Sequence, residues 1–234
     1  MDIVKIRFKL LCIAISQNET RSHMKDNSHI SNLKASANQP YHHGNLRLAL
    51  LNASVDIIRA QGVAGLSLRK LADLVGVSRT APYHHFKDKD ALLAAVAGQG
   101  FEELSGLLSQ AVNDDDAPLN TKLEQAVMGY LDFATQHPTQ YELMFGQALW
   151  QDTQHESFQR TAKDCFRQYV KLFELFAQQG LIKSQEPPLR LAQMTWASLH
   201  GLARLASDGI FANPADIHDI AKTAVRHLEI ILQK

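Results

Sequence analysis

From Asn45 to the C-terminus, apolar residues recur at three- and four-residue intervals, and no in–out alternation runs long enough for a strand. This pattern narrows the fold more than any other feature. Helix faces must be buried against one another, so the expected class is all-α with about nine helices. Asn45 suits an N-cap, and Leu46, Ala49, Leu50, Ala53 and Ile57 follow at helical spacing until Gly62 stops the run. Ser67 caps a short second helix with Leu68, Leu71, Ala72 and Val75 on one face, and Ser78 caps a third that ends near His84. Asp88 caps a long fourth helix, Ala91 to Val112, and further helices fit 119–136, 138–149, 154–179, 188–206 and 215–233. Pro138, Pro187-Pro188 and Pro214 punctuate the connectors.

The stretch from Ser67 to Phe86 carries the chemistry. A helix-turn-helix needs two short helices joined by a tight turn. Ala72 is small enough for close approach, Gly76 suits a left-handed turn residue, Val77 plugs the angle and Ser78 restarts the helix. The second helix is polar on one side (Arg79, Thr80, His84), as a helix entering a DNA major groove must be. A helical hairpin without a ligand is the competing reading. Pro82 complicates the register: it removes a hydrogen bond, crowds the carbonyl of Ser78 and disfavours helical angles at Ala81. Which of Arg79, Thr80, Ala81 and His84 reads bases is therefore left open.

Tyr83, Phe86, Lys89 and Leu92 match the Tyr-x-x-Phe-x-x-Lys-x-x-Leu run that follows the second motif helix in the TetR family of bacterial transcriptional regulators. The chain resembles that family most strongly over residues 44–96. Trp196-Ala-Ser-Leu-His200-Gly201 is similar to the Trp-x3-His-Gly signature of one subgroup, as is the opening Tyr41-His-His-Gly-Asn-Leu46. The resemblance implies a cytoplasmic homodimeric repressor that binds a palindromic operator on double-stranded DNA and is released by a small-molecule effector. The implied DNA contacts are Ser67, Ser78, Arg79, Thr80, Ala81, Tyr83, His84 and Lys89. Lys89 stands in the first turn of its helix, the unfavourable end of the macrodipole for a cation. A DNA phosphate there would account for it, as would an exposed lysine tolerated at small cost. Tyr83 has two readings, a packed ring or a hydroxyl aimed at a phosphate, and the resemblance favours the second. Phe86 and Leu92 read as core.

Net charge is zero, yet it is divided unevenly: +3 over residues 1–40, +3 over 41–100 and −6 over 101–234. A basic front on an acidic body fits a chain that meets a polyanion at one end. The expected division is an N-terminal extension at 1–40, a three-helix DNA-binding domain at 41–100 and a helical regulatory and dimerisation domain at 101–234. The extension is rich in Ser, Asn, His and Lys and reads as poorly ordered. Its run from Phe8 to Ile15 lacks a cleavage site of the signal-peptide kind, and Met24 is a second possible start. No apolar run approaches the roughly 18 residues of a membrane span. The two cysteines, Cys12 and Cys165, fit neither a disulfide framework nor a Cys-based zinc site and suggest a reducing compartment. The paired histidines His42-His43 and His84-His85 have no partner at ligand spacing, so no metal and no cofactor is expected. Phosphate loops, nucleophile elbows and dinucleotide fingerprints are missing from the sequence. A helical enzyme stands as the alternative of a different class, and a DNA-binding protein without an effector as the nearer one.

Aromatic bulk concentrates in the body. Phe145, Phe166, Tyr169, Trp196 and His200 read either as ordinary core or as the lining of an apolar effector pocket. His200, one turn after Trp196, either orients a ligand or satisfies a core hydrogen bond. On the last helix Ile217, Ala221, Ala224, Val225 and Leu228 form an apolar stripe, and Ala192 and Gly201 precede it as small residues. Together they suggest a four-helix dimer interface, unless the stripe packs within its own chain.

Overall fold

The computed structural model describes residues 46–113, 117–151, 155–210 and 216–232. The Asn45 cap, the N-terminal extension and Asp114–Asp116 lie outside these. The described residues form nine α-helices and two 3-10 turns, with no strand. The helices are α1 (Leu46–Gln61), α2 (Leu68–Val75), α3 (Lys89–Asn113), α4 (Leu119–Gln136) and α5 (Pro138–Phe145). They continue as α6 (Gln147–Gln151), α7 (Glu156–Gln178), α8 (Pro188–Ser207) and α9 (Asp216–Leu232). The 3-10 turns are Val63–Gly65 and Ala81–His84.

The all-α class and the number of helices agree with the sequence, but their make-up differs at two places. The expected third helix from Ser78 is only the turn Ala81–His84, and the expected helix over 138–149 is broken at Gly146 into α5 and α6. Each break has a local cause. Pro82 has no N–H for an α-helical bond, and glycine is about 1 kcal/mol poorer than alanine inside a helix.

The chain divides into two compact units. One ends at Val96 and takes in the segment beginning at Phe145; the other begins at Ala97 and takes in the chain from α7 onward. In the first, α1 ends at Gly62 (φ +69), whose N–H reaches the Ile58 carbonyl at 2.8 Å. Ser67, in extended conformation, caps α2 by accepting the Lys70 N–H at 3.2 Å. Gly76 (φ 76, ψ 32) closes α2 in the left-handed region, with its N–H on the Ala72 carbonyl at 3.0 Å. Leu50, Ile57, Leu71, Ala72, Phe86 and Leu92 are buried, so α1, α2 and the start of α3 share one small core.

In the second unit α4 is the central element: α8 and α9 both pack along it, and α8 also packs on α7. The later part of α3 crosses α5 closely. A Cβ on Gly100 would lie 2.5 Å from Met144 Sδ and 3.0 Å from Gln140 Cγ, so this approach depends on glycine. No helix among the described residues is long and apolar enough to cross a membrane.

Candidate functional site

The residues after Gly76 form a short, exposed turn. Ala81 N–H donates to the Ser78 carbonyl at 3.0 Å, Tyr83 N–H to Thr80 at 3.1 Å and His85 N–H to Pro82 at 3.0 Å. These are all three-residue closures, the pattern of a tight 3-10 helix. Ser78 therefore does not cap an α-helix. Thr80 takes the position before the turn, and the Ser78 and Thr80 hydroxyls pair at 3.2 Å. Pro82 is buried, with its missing N–H at a place in the turn that needs none.

Around it, Arg79, Thr80, Tyr83 and His84 are exposed, while Ala81 and Lys89 are half-buried. Tyr83 is 54% exposed, so its ring is not a core ring and its hydroxyl can meet a ligand. Arg79 Nε lies 3.5 Å from Asp73 Oδ1 on α2. The Ser67 hydroxyl is engaged in capping, and its residue stands exposed at the start of α2. Asp88 Oδ1 accepts the Ala91 N–H at 2.7 Å, which starts α3 and leaves Lys89 in its first turn. Two basic residues were not singled out in the sequence. Arg47 lies over the Phe86 ring at 5.6 Å, and Lys70 Nζ bonds Gln61 Oε1 and reaches the Gly65 carbonyl at 3.4 Å. Local periodicity carried no signal for either contact.

In the second unit the structure brings Phe166, Tyr169, Trp196 and His200 together and adds two tyrosines. Trp196 is met edge-on by Tyr130 at 5.4 Å, Phe166 at 5.6 Å and Tyr169 at 5.1 Å between centroids. Tyr169 donates to Thr195 Oγ1 at 2.8 Å. Phe145 falls in the first unit.

A buried polar chain runs through it. The Tyr130 and Tyr141 hydroxyls are 2.9 Å apart, and Tyr141 Oη is 2.7 Å from His200 Nδ1. Tyr130 has no other partner among the described residues, so its hydrogen goes to Tyr141. With the Tyr130 proton on Tyr141, the tautomer of His200 that accepts at Nδ1 completes the chain by taking the Tyr141 proton. Burial pushes both phenols above their ordinary pKa, and burial first, then Arg204, pulls His200 down to about 4. Burial likewise pushes the Cys165 thiol up to about 12, so it is held as the thiol.

The His200 shift sets a pH dependence. Because the folded pKa lies below the unfolded one, the unfolded chain takes up the proton first as pH falls from about 6.5 toward 4. Stability is complete above about pH 6.5 and declines below it, by up to about 2 kcal/mol at pH 5 from this group. Urea melts at pH 7.5 and pH 5 should show a smaller loss in His200→Gln than in wild type. An equal loss in both would remove His200 as the source.

The anticipated dimer residues separate into two groups. Ala192, Ile217, Ala221, Val225 and Leu228 are at most 8% exposed within one chain. These side chains face the chain's own core, where α9 lies on α4. Gly201 and Ala224 remain half-exposed, and nothing lies within 4 Å of a Cβ placed on Gly201. Met194, Ser198 and Leu205 are exposed at the same helical spacing along α8 as Gly201. Among the described residues no three His, Cys, Asp or Glu side chains gather as a metal site.

With this geometry in place, the likeness to known proteins is specific. The family model for bacterial regulatory proteins of the tetR family matches residues 50–96, and that for a tetracyclin repressor-like C-terminal domain matches residues 123–228. The tetracycline repressor protein class A from transposon 1721 of Escherichia coli is 46% identical over 48 residues, covering 20% of this chain and 22% of that protein. The class C repressor of Escherichia coli is 32% identical over 96 residues, 39% of this chain and 43% of its own length. The chain thus spans less than half the length of these curated relatives. A solved structure of a protein of unknown function from Rhodococcus sp. RHA1 is similar over a longer stretch. It has TM-score 0.71 and 31% identity, and the match covers 84% of this chain and 100% of that one. One matched segment contains α2 and the turn after Gly76, and the other runs from α4 to α9. The chain belongs to the TetR family of bacterial regulatory proteins.

Proposed function

We propose that this regulator is a cytoplasmic repressor, acting as a homodimer on a palindromic DNA operator and released by an uncharged, apolar small molecule. The observation that carries the reading is the capped α2, the left-handed Gly76 turn and the exposed Arg79, Thr80, Tyr83 and His84 that follow. No enzymatic step is part of it. The basic surface would bind phosphates through Tyr83, Lys89 and the start of α2, leaving Arg79, Thr80, Ala81 and His84 to face base edges.

Dimerisation in this reading uses the outward faces of α8 and α9, with Met194, Ser198, Gly201 and Leu205 on one and Ala224 and Ile230 on the other. The effector would enter the region of Phe166, Tyr169, Trp196 and His200, where phenols and a neutral imidazole offer hydrogen bonds without charge. The Trp196-x3-His200-Gly201 signature would then mark the subgroup that shares this arrangement. Binding would be transmitted along α3, because a small tilt spoils the roughly 34–36 Å spacing of two recognition elements on successive grooves.

Selecting bound duplexes from a random pool tests the DNA part and yields the operator together. A palindromic consensus is expected, and Lys89→Ala should weaken binding to all sequences alike. Recovery of no consensus would refute sequence-specific binding. For the effector, linkage requires that any releasing ligand bind more weakly, by the same factor, when operator is present.

A further inference from the structure

Between Leu46 and Phe86 the chain has two acidic residues, Asp56 and Asp73. Asp56 faces Arg59 one turn on along α1, at 3.7 Å, an ordinary pair on a helix surface. Asp73 is different. It leaves α2 and reaches across the Gly76 turn to Arg79, with Oδ1 at 3.5 Å from Nε. Both side chains are more than half exposed, so the pair contributes little to folding. A carboxylate beside a DNA-binding element also repels phosphate, which costs affinity for every sequence. Its place needs a function that offsets this.

Arg79 supplies one. It precedes the recognition turn and is not held by a helix. A free arginine side chain there would carry its full rotamer freedom, and ordering it on a base edge would cost affinity. Asp73 engages the guanidinium at Nε only, and Nη1 and Nη2 have no partner among the described residues. Two parallel N–H donors held in a plane match the O6 and N7 acceptors of guanine in the major groove.

We propose that Asp73 is a positioning residue that holds Arg79 for bidentate reading of one guanine in each operator half-site. The proposal rests on the DNA-binding reading above and deepens it by naming the base that is read and the residue that presents its reader. Thr80, flanked by the Ser78 hydroxyl at 3.2 Å, stays on the turn beside it.

The test is selection from a random duplex pool with wild type, Arg79→Ala, Asp73→Asn and Asp73→Glu, followed by affinities for single-base variants of the selected site. Wild type should specify one guanine per half-site, preferred over the other bases by roughly 5- to 150-fold. Arg79→Ala should erase that preference. Asp73→Asn should reduce it several-fold at that position alone, leave the melting temperature unchanged and raise affinity for random DNA. Asp73→Glu, which keeps the charge on a longer stem, should restore part of the preference. Full guanine preference in Asp73→Asn overturns the positioning role even if wild type selects a clear operator. An unchanged consensus in Arg79→Ala overturns the assignment of the reader. If wild type selects no sequence, the DNA-binding reading falls and this one with it.

Discussion

Trp196→Ala is expected to lower the unfolding free energy by about 3–5 kcal/mol, the range for removing a large buried ring from a core that relaxes only in part. Trp196 is 5% exposed and touches three rings from α4 and α7, each edge-on. Such pairs add about 0.5–1.5 kcal/mol each beyond the area they bury. Trp196→Phe should lose less, because one ring still fills most of the space. Urea melts of the two variants give the comparison directly. A loss below about 1 kcal/mol in Trp196→Ala would mean that the indole borders open space rather than filling a core. The result also bears on the effector, since a tightly held Trp196 leaves half-buried Phe166 and His200 as the side chains a ligand can reach without unpacking the cluster.

If the protein pairs through the outward face of α8 as proposed, Gly201→Arg should give monomers in sedimentation at micromolar concentration. It should also reduce operator affinity by about 10²–10⁴-fold, the gain that two linked half-sites supply. Within one chain no heavy atom lies within 4 Å of a Cβ placed at Gly201, so the first carbon of the new side chain fits without a clash. In a pair of chains joined through α8, it would place a long cation among Met194, Leu205 and their symmetry mates. Ala224→Arg should act in the same sense from α9. A variant that stays dimeric and binds operator normally would move the interface to another surface.

Much of the first unit was legible because its signals are local. Ser67, Gly62, Gly76 and Asp88 each act through bonds to residues a few positions away, so their identities alone predicted the ends of α1, α2 and the start of α3. Pro82 was also legible as a disturbance. Its consequence was larger than a distortion, since a single 3-10 turn replaces the expected helix from Ser78. The break at Gly146 was not anticipated, as the apolar period continues across it.

The body was less legible for a physical reason. An apolar stripe on a helix has the same period whichever neighbour it meets, so Ile217, Ala221, Val225 and Leu228 suggested an interface that packing within the chain could equally produce. Within one chain these four are buried. Tyr130 and Tyr141 were passed over because the contacts that matter are distant in sequence. Tyr141 and His200 are 59 residues apart, and each alone is an ordinary polar aromatic. Trp196 and His200 were found only through a short motif and their shared helical face.

In the proposed function the exposed turn after Gly76 meets the DNA backbone as well as its bases. Titrating the selected operator across 50–300 mM salt tests it most directly, because each neutralised phosphate releases counterions. Neutralising three or four phosphates per half-site predicts a log–log slope of about −5 to −7. In a Lys89→Ala dimer the slope should flatten by roughly one unit for each phosphate that is no longer neutralised. A slope near zero, with binding insensitive to Lys89, would mean that this turn does not meet the DNA backbone.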